Sequence, residues 1–289
     1  MKDPYISQDA KENWGNRVLN LASIFLPWIL MAAIALGTRQ PLAPTVATSL
    51  VFAVFFGLTV AGVAIGLHRY FTHHAFKTSR VVKVCLGVLG TWAMQGDITR
   101  WVSDHRRHHR FADKQFDPHS PWYSDRGAIS NRFLGWFHSH TGWMIYGRVS
   151  QPARYAPDCL ADRSIVILSK YYWLIVGTGL VLPGLVGYWA GGEDEFYRCL
   201  FWAGAARVAL LHQLTWSVNS FGHLFGQKVP GSDNEARDNI FFALLLLGEG
   251  LHSHHHWRPT SAMNEPKHLD LGGWIIRGWE KLGLVWHLR

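Results

Sequence analysis

Seventeen of the 289 residues are histidine, and their spacing points to metal chemistry. His105, His108 and His109 stand in DHRRHH, and His252, His255 and His256 stand in GEGLHSHHH, so the pattern HxxHH occurs twice. A helix turns once in 3.6 residues, so positions i, i+3 and i+4 share a face and can aim three imidazoles at one point. His68 and His73 in GLHRYFTHH add two nitrogens, and His223 in NSFGH adds another. Neutral imidazole ligands suit zinc, copper, iron and nickel. A structural zinc site closes with four ligands, whereas these nine donors are enough for two metals with four or five each. A pair of irons that activates dioxygen fits the set better. Cys85, Cys159 and Cys199 form no CxxC pair, so neither a thiolate zinc site nor a disulfide framework is indicated. His74 and His254 adjoin these positions out of helical register: His74 is expected to be a spectator, and His254 to be exposed or to support a ligand from behind.

Long stretches almost free of charge alternate with stretches dense in Arg, Lys, Asp and His, which predicts a membrane protein. Residues 18–36, 45–67, 165–190 and 199–218 can each cross a hydrocarbon core of about 30 Å at about 1.5 Å per residue. The first two are joined by a Gly/Pro turn, the last two by a short acidic turn at 191–196, giving four spans in two hairpins. Shorter apolar runs at 81–98, 133–146 and 240–251 read as interfacial or buried helices. A full span at 81–98 would place the histidine boxes on opposite faces of the membrane and keep them apart.

The hairpins leave 68–164 and 219–289 on one side as a helical cap. That side, with the N-terminal tail, holds 24 of the 28 Lys and Arg, so the positive-inside rule makes it cytoplasmic. The segment before the first span carries Asp3, Asp9 and Glu12, which argues against a cleavable signal. Apolar residues make up 48% of the chain, 14% of all residues being aromatic, which excludes a disordered chain. Basic residues are scattered among boxes and span ends, so nucleic-acid binding has no support. The whole chain, 1–289, reads as one all-α membrane domain.

These motifs, in this order, with Trp101 before DHRRHH, the segment DPHSP, HSHTGWM within 133–146, and Asn219 four residues before His223, resemble the membrane acyl desaturases of the stearoyl-CoA type. The likeness spans roughly residues 45–288. It implies a four-span bundle, a cytoplasmic cap holding a di-iron centre, and insertion of a cis double bond into an acyl chain with dioxygen and two electrons. Matched position by position, the metal histidines are His68, His73, His105, His108, His109, His223, His252, His255 and His256, and Asn219 reaches one metal through water. Asn219 lies one helical turn before His223, on the same face.

Breaking an unactivated C–H bond is beyond side-chain acid or base chemistry, so metal and dioxygen must carry it. Asp104, Asp113, Asp117 and Glu249 are candidates to orient the ligating imidazoles. The acyl chain is expected on coenzyme A, acyl carrier protein or a lipid, drawn to the basic side. Electrons must come from a separate donor, ferredoxin-like or cytochrome b5-like with its reductase, because the chain has too few cysteines and no spare heme-ligand stretch. Trp101 and Trp216 are candidates to line the acyl tunnel. The resemblance places its far end against the second span, where Phe52 and Phe56, one turn apart, would shorten it. Hydroxylation, acetylene formation or decarboxylation would use the same ligands. A metal transporter should place ionisable ligands along a path at mid-membrane, and only Arg207 and His212 lie deep in a span. His212 shares a helix face with Asn219 and His223 about 16 Å deeper, so a structural role is expected.

Overall fold

The computed structural model describes residues 10–289, with side chains from Trp14 onward; Asp3, Asp9 and the side chain of Glu12 lie outside the described residues. The chain is mostly helical. Three helical stretches, Trp14–Gly37, Val46–Thr72 and Tyr172–His223, are long and apolar enough to cross a membrane. The first belongs to α1 (Ala10–Gly37); the second is α2 (Val46–Ala61) continued by wider π-type turns over Gly62–Thr72. Thr45 starts α2 with a reciprocal cap, its side chain and that of Thr48 each meeting the other's backbone N–H.

Between the second and third stretches lie α3 (Arg80–Thr91), α4 (Ile98–Phe111), α5 (Arg132–Phe137), α6 (Trp143–Tyr146), α7 (Pro152–Tyr155), α8 (Pro157–Ala161) and α9 (Arg163–Lys170). The run at 81–98 therefore yields a helix of 12 residues, about 18 Å long, which cannot span the bilayer. The runs at 133–146 and 240–251 also give short helices, α5 and α6 in the first and the six-residue α12 (Ile240–Leu245) in the second.

The third long stretch comprises α10 (Tyr172–Cys199), π-type turns over Leu200–Ala206 and α11 (Arg207–Ser220). It is not one rod. Gly191 and Gly192 leave helical geometry, and Gly192 takes φ 73°, a conformation that favours a residue without Cβ. Beyond this break the chain folds back so closely that a Cβ on Gly187 would lie 2.5 Å from the carbonyl oxygen of Glu195. The acidic turn expected at 191–196 is thus only two residues long, with Glu193 to Phe196 already helical. The apolar segment expected to start a span at Ile165 belongs instead to α9, which ends at Lys170, and Ile165 and Leu168 are buried in the core.

Hydrogen bonds tie the two ends of the bundle. At one end Glu195 accepts from Thr45 (2.8 Å) and Thr48, and Trp202 Nε1 donates to Leu42 O at 2.7 Å. At the other, Asn20 Nδ2 donates to Met144 O at 2.6 Å and the Gly96 N–H to Tyr172 Oη at 3.2 Å. The remaining helices are α12 (Ile240–Leu245), α13 (His252–Trp257) and α14 (Leu271–Lys281). Two-residue strands β1 (Lys77–Thr78) and β4 (Val285–Trp286) pair antiparallel, as do β2 (Tyr123–Ser124) and β3 (Gly127–Ala128). One apolar core, including Val63, Leu67, Leu86, Ile98, Val102, Leu211 and Ile276, joins the second stretch, α3, α4, α11 and α14.

Candidate metal centre

Asp97 caps α4 by accepting from the N–H groups of Thr99 and Arg100, so a regular helix carries His105, His108 and His109. His68 and His73 come from the π-type turns ending the second stretch and the residue after them, His223 from the turn following α11, and His252, His255 and His256 from α13. Together they form two sets. His68, His73, His105, His109 and His255 have ligand atoms within 4.8 Å of one another, and so do His108, His223, His252 and His256. All nine imidazoles named from the sequence are brought together.

The nitrogens face one another at close range. Nε2 to Nε2 distances are 2.9 Å for His68–His255 and His109–His255, and 3.1 Å for His105–His109. In the second set they are 2.9 Å for His223–His252 and 3.2 Å for both His108–His256 and His252–His256. Ligands at right angles around an ion with metal–nitrogen bonds of about 2.1 Å sit about 3 Å apart, and tetrahedral ligands about 3.4 Å. The observed spacing is that of nitrogens sharing an ion.

Carboxylates hold several rings from behind. Asp117 takes the Nδ1–H of His108 at 2.9 Å, Asp113 that of His223 at 2.8 Å, and Glu249 meets His68 Nδ1. With Nδ1 donating, Nε2 of these rings keeps its lone pair, so nitrogens that face each other need a cation between them. Burial, and then the neighbouring imidazoles, holds His73, His105, His108, His109, His252, His255 and His256 well below the usual histidine pKa, the neutral state that metal binding requires. Burial and then the adjacent Asp113 push Asp117 up to about 8. Burial would also raise Asp113, but His223 and the hydrogen bonds from His223, the Glu235 N–H and Ser120 outweigh it and hold Asp113 below the ordinary carboxylate value. The donor set, its geometry and its protonation fit two metal ions.

Asp104 is a correction: it accepts from Ser150 Oγ at 2.7 Å and faces Arg100, and it orients no histidine. His254 is buried, not exposed; its Nδ1 lies 3.3 Å from Asn264 Oδ1, outside both sets. His74 is half-exposed against Arg106 and Asp158. Two features were missed. His119 stacks on His108 with centroids 4.3 Å apart, and Asp270 grips the buried Arg69 beside His68. Only the DPHSP segment drew attention to the first, and no spacing marks the second.

A cavity runs from the two sets into the bundle. His68, His105, His119, Glu249 and His252 border it at the metal end. Val60, Val63 and Ala64 line it on the second stretch, and Leu211, Thr215, Trp216 and Asn219 on α11. Trp101 also lines it, stacked on His105 at 4.9 Å. Phe52 and Phe56 do not: they stack on each other at 5.7 Å, and the wall on their helix stops at Val60, one turn short of Phe56. On this helix the cavity wall thus begins at Val60, nearer the histidines than the positions expected for the tunnel end.

His212 is buried, with Nε2 2.7 Å from Ala93 O and its ring stacked on Trp216 at 4.6 Å. His212→Ala should cost about 1–3 kcal/mol of stability, the penalty for a stranded buried carbonyl, without lowering metal content. Melting and elemental analysis of the purified variant check this, and metal loss in a folded protein would contradict it.

A family model described as fatty acid desaturase matches residues 44–267. The chain is 37% identical over 240 residues to a hex-5-enoyl-(acyl-carrier protein) acetylenase of Moorena producens (strain JHB), covering 80% of this chain and 74% of that protein. It is 31% identical over 300 residues to the stearoyl-CoA desaturase of Sus scrofa, covering 99% and 79%. With the stearoyl-CoA desaturase of Capra hircus the identity is 30% over 270 residues, covering 89% and 72%.

Proposed function

We propose, given that this chain belongs to the fatty acid desaturase family, that it places a cis double bond in a fatty acyl chain at two irons held by its nine clustered histidines. Membership makes it a membrane protein and an oxidoreductase acting on fatty acyl chains. One observation carries the finer reading: two converging imidazole sets border a single cavity that continues between membrane-spanning helices. His68, His73, His105, His109 and His255 hold one iron. His108, His223, His252 and His256 hold the other, with Asn219 reaching it through water. Bound there, the irons activate dioxygen for removal of two hydrogens from adjacent acyl carbons.

The chain's own residues do the rest. Glu249, Asp113 and Asp117 fix ring orientation, and the apolar wall of Val60, Val63, Ala64 and Leu211 threads the acyl chain and keeps water out. Near the mouth, Arg100 borders both the cavity and an adjoining cleft that includes Arg17 and Arg148, cations suited to a phosphorylated acyl carrier such as coenzyme A or acyl carrier protein. The break at Gly191–Gly192 supports four membrane crossings in two hairpins, with the cap on the cytoplasmic side by its basic excess. A separate donor protein supplies the electrons.

Expression in a host fed labelled fatty acids should yield a labelled product two hydrogens lighter per molecule, located by mass spectrometry, and none with His105→Ala. A product still saturated, with the protein folded and iron-loaded, would overturn the reading. A second reading is favoured by the 37% identity to an acetylenase: the same centre acting again on an alkene. A labelled triple bond in that experiment would establish it.

A further inference from the structure

Arg207 is fully buried between the helices, where a charge is costly and marks a functional position. Among the described residues no carboxylate pairs with it. Its guanidinium donates only to neutral groups: Nε to Ala203 O at 2.7 Å, Nη2 to Gly179 O at 2.9 Å, and Nη1 to Thr59 Oγ1. These partners lie on its own helical stretch, on α10 and on α2, so one side chain joins three helical segments.

The place of this junction matters. Val60, next to Thr59, and Leu211, one turn from Arg207, are the deepest cavity residues on their two helices. Each lies eight residues from the metal end, His68 to Val60 and Asn219 to Leu211, the latter a depth of about 12 Å along α11. The guanidinium is thus anchored one residue beyond the cavity wall on α2 and one turn beyond it on α11. Beside it, Phe55 stacks on Trp92 at 5.6 Å, and a Cβ on Gly179 would lie 2.5 Å from the Trp92 ring.

We propose that Arg207 is a positioning residue that fixes the cavity floor, and so sets the longest acyl chain admitted past the histidines. This rests on the cavity being the acyl site. Retreat of Val60 or Leu211 would require the helices to part, which would strand a buried guanidinium and the oxygens it satisfies. With an apolar side chain at 207 the same helices lose that penalty, and Val60 and Leu211 can repack around added methylenes.

The test uses Arg207→Met and the near-isosteric Thr59→Val, which removes one acceptor while keeping the charge. Binding of a graded series of saturated fatty acids to the detergent-solubilised proteins is measured by calorimetry, alongside metal content and product ratios from mixed chain lengths. Wild type should show a sharp length cut-off. In the variants the ratio of long-chain to short-chain binding should rise by about tenfold or more, the worth of one accommodated methylene, with metal content unchanged. Should Arg207→Met fail to fold, Thr59→Val carries the same readout. Binding that weakens equally at every length, or an unchanged cut-off, overturns the proposal and leaves the acyl reading intact. A wild-type protein that binds no fatty acid of any length overturns both.

Discussion

His256→Ala should leave a folded chain with about half the wild-type iron and no detectable product. His256 Nε2 stands 3.2 Å from both His108 and His252 Nε2, so its loss opens the four-nitrogen set and leaves the five-nitrogen set whole. Losing a partner one step behind a ligand costs about 10–100-fold, so losing the ligand should cost at least about 100-fold in turnover. His255→Ala should weaken the other set without removing it, since that ring faces both His68 and His109 but four nitrogens remain. His254→Ala is the control within the same short helix: it gives up a hydrogen bond to Asn264 worth about 1 kcal/mol and should keep both metals and activity. Elemental analysis per chain separates the ligand variants from the control, and equal iron loss in His254→Ala would show the wrong rings had been assigned.

The largest stability effect is expected away from the metals. Asp270 is fully buried and takes both terminal nitrogens of Arg69, at 2.8 and 3.1 Å, while also accepting from the Asn264 and Gly273 N–H groups. Asp270→Ala strands a buried guanidinium, at a cost of about 3–5 kcal/mol. Arg69 also touches Glu249 at 3.4 Å, and Glu249 holds His68. Freed from Asp270, Arg69 should compete for that carboxylate, so weaker iron retention should accompany the lower melting temperature. Arg69→Met combined with Asp270→Leu should recover much of the stability, because a buried ion pair replaced on both sides by apolar groups is often neutral. If the double variant melts as low as Asp270→Ala, the lost charge pairing is not the cause.

The nine histidines were legible because spacing on one helix is a local property: a regular α4 delivers His105, His108 and His109 to one face. That four distant segments share one centre rested on the pooled donor count, the two-hairpin arrangement and the family resemblance, since periodicity alone says nothing about which helices pack together. The supporting carboxylates were half legible. Asp104 precedes His105 by one position and so points about 100° away around the helix, whereas Asp113, at φ 56°, lies where the chain turns back after α4 and can return to His223. Span limits failed where composition is ambiguous. Ile165 and Leu168 are as apolar as a bilayer segment, yet protein covers them. Phe52 and Phe56 share a helix face that Val60 continues at i+4, but how deep a cavity reaches along it depends on neighbours that no single helix encodes.

Both nitrogen sets draw on α13 as well as on segments far upstream; His68 and His255 are 187 positions apart. A growing chain that has released only the first two boxes therefore offers no closed coordination sphere. An ion caught there must be held against the entropy of an unclosed loop. Binding becomes tight only when folding has gathered the donors, so metal loading should follow synthesis of α13. Iron scarcity should then leave assembled, empty molecules awaiting metal, a reserve that a returning supply can activate without new translation.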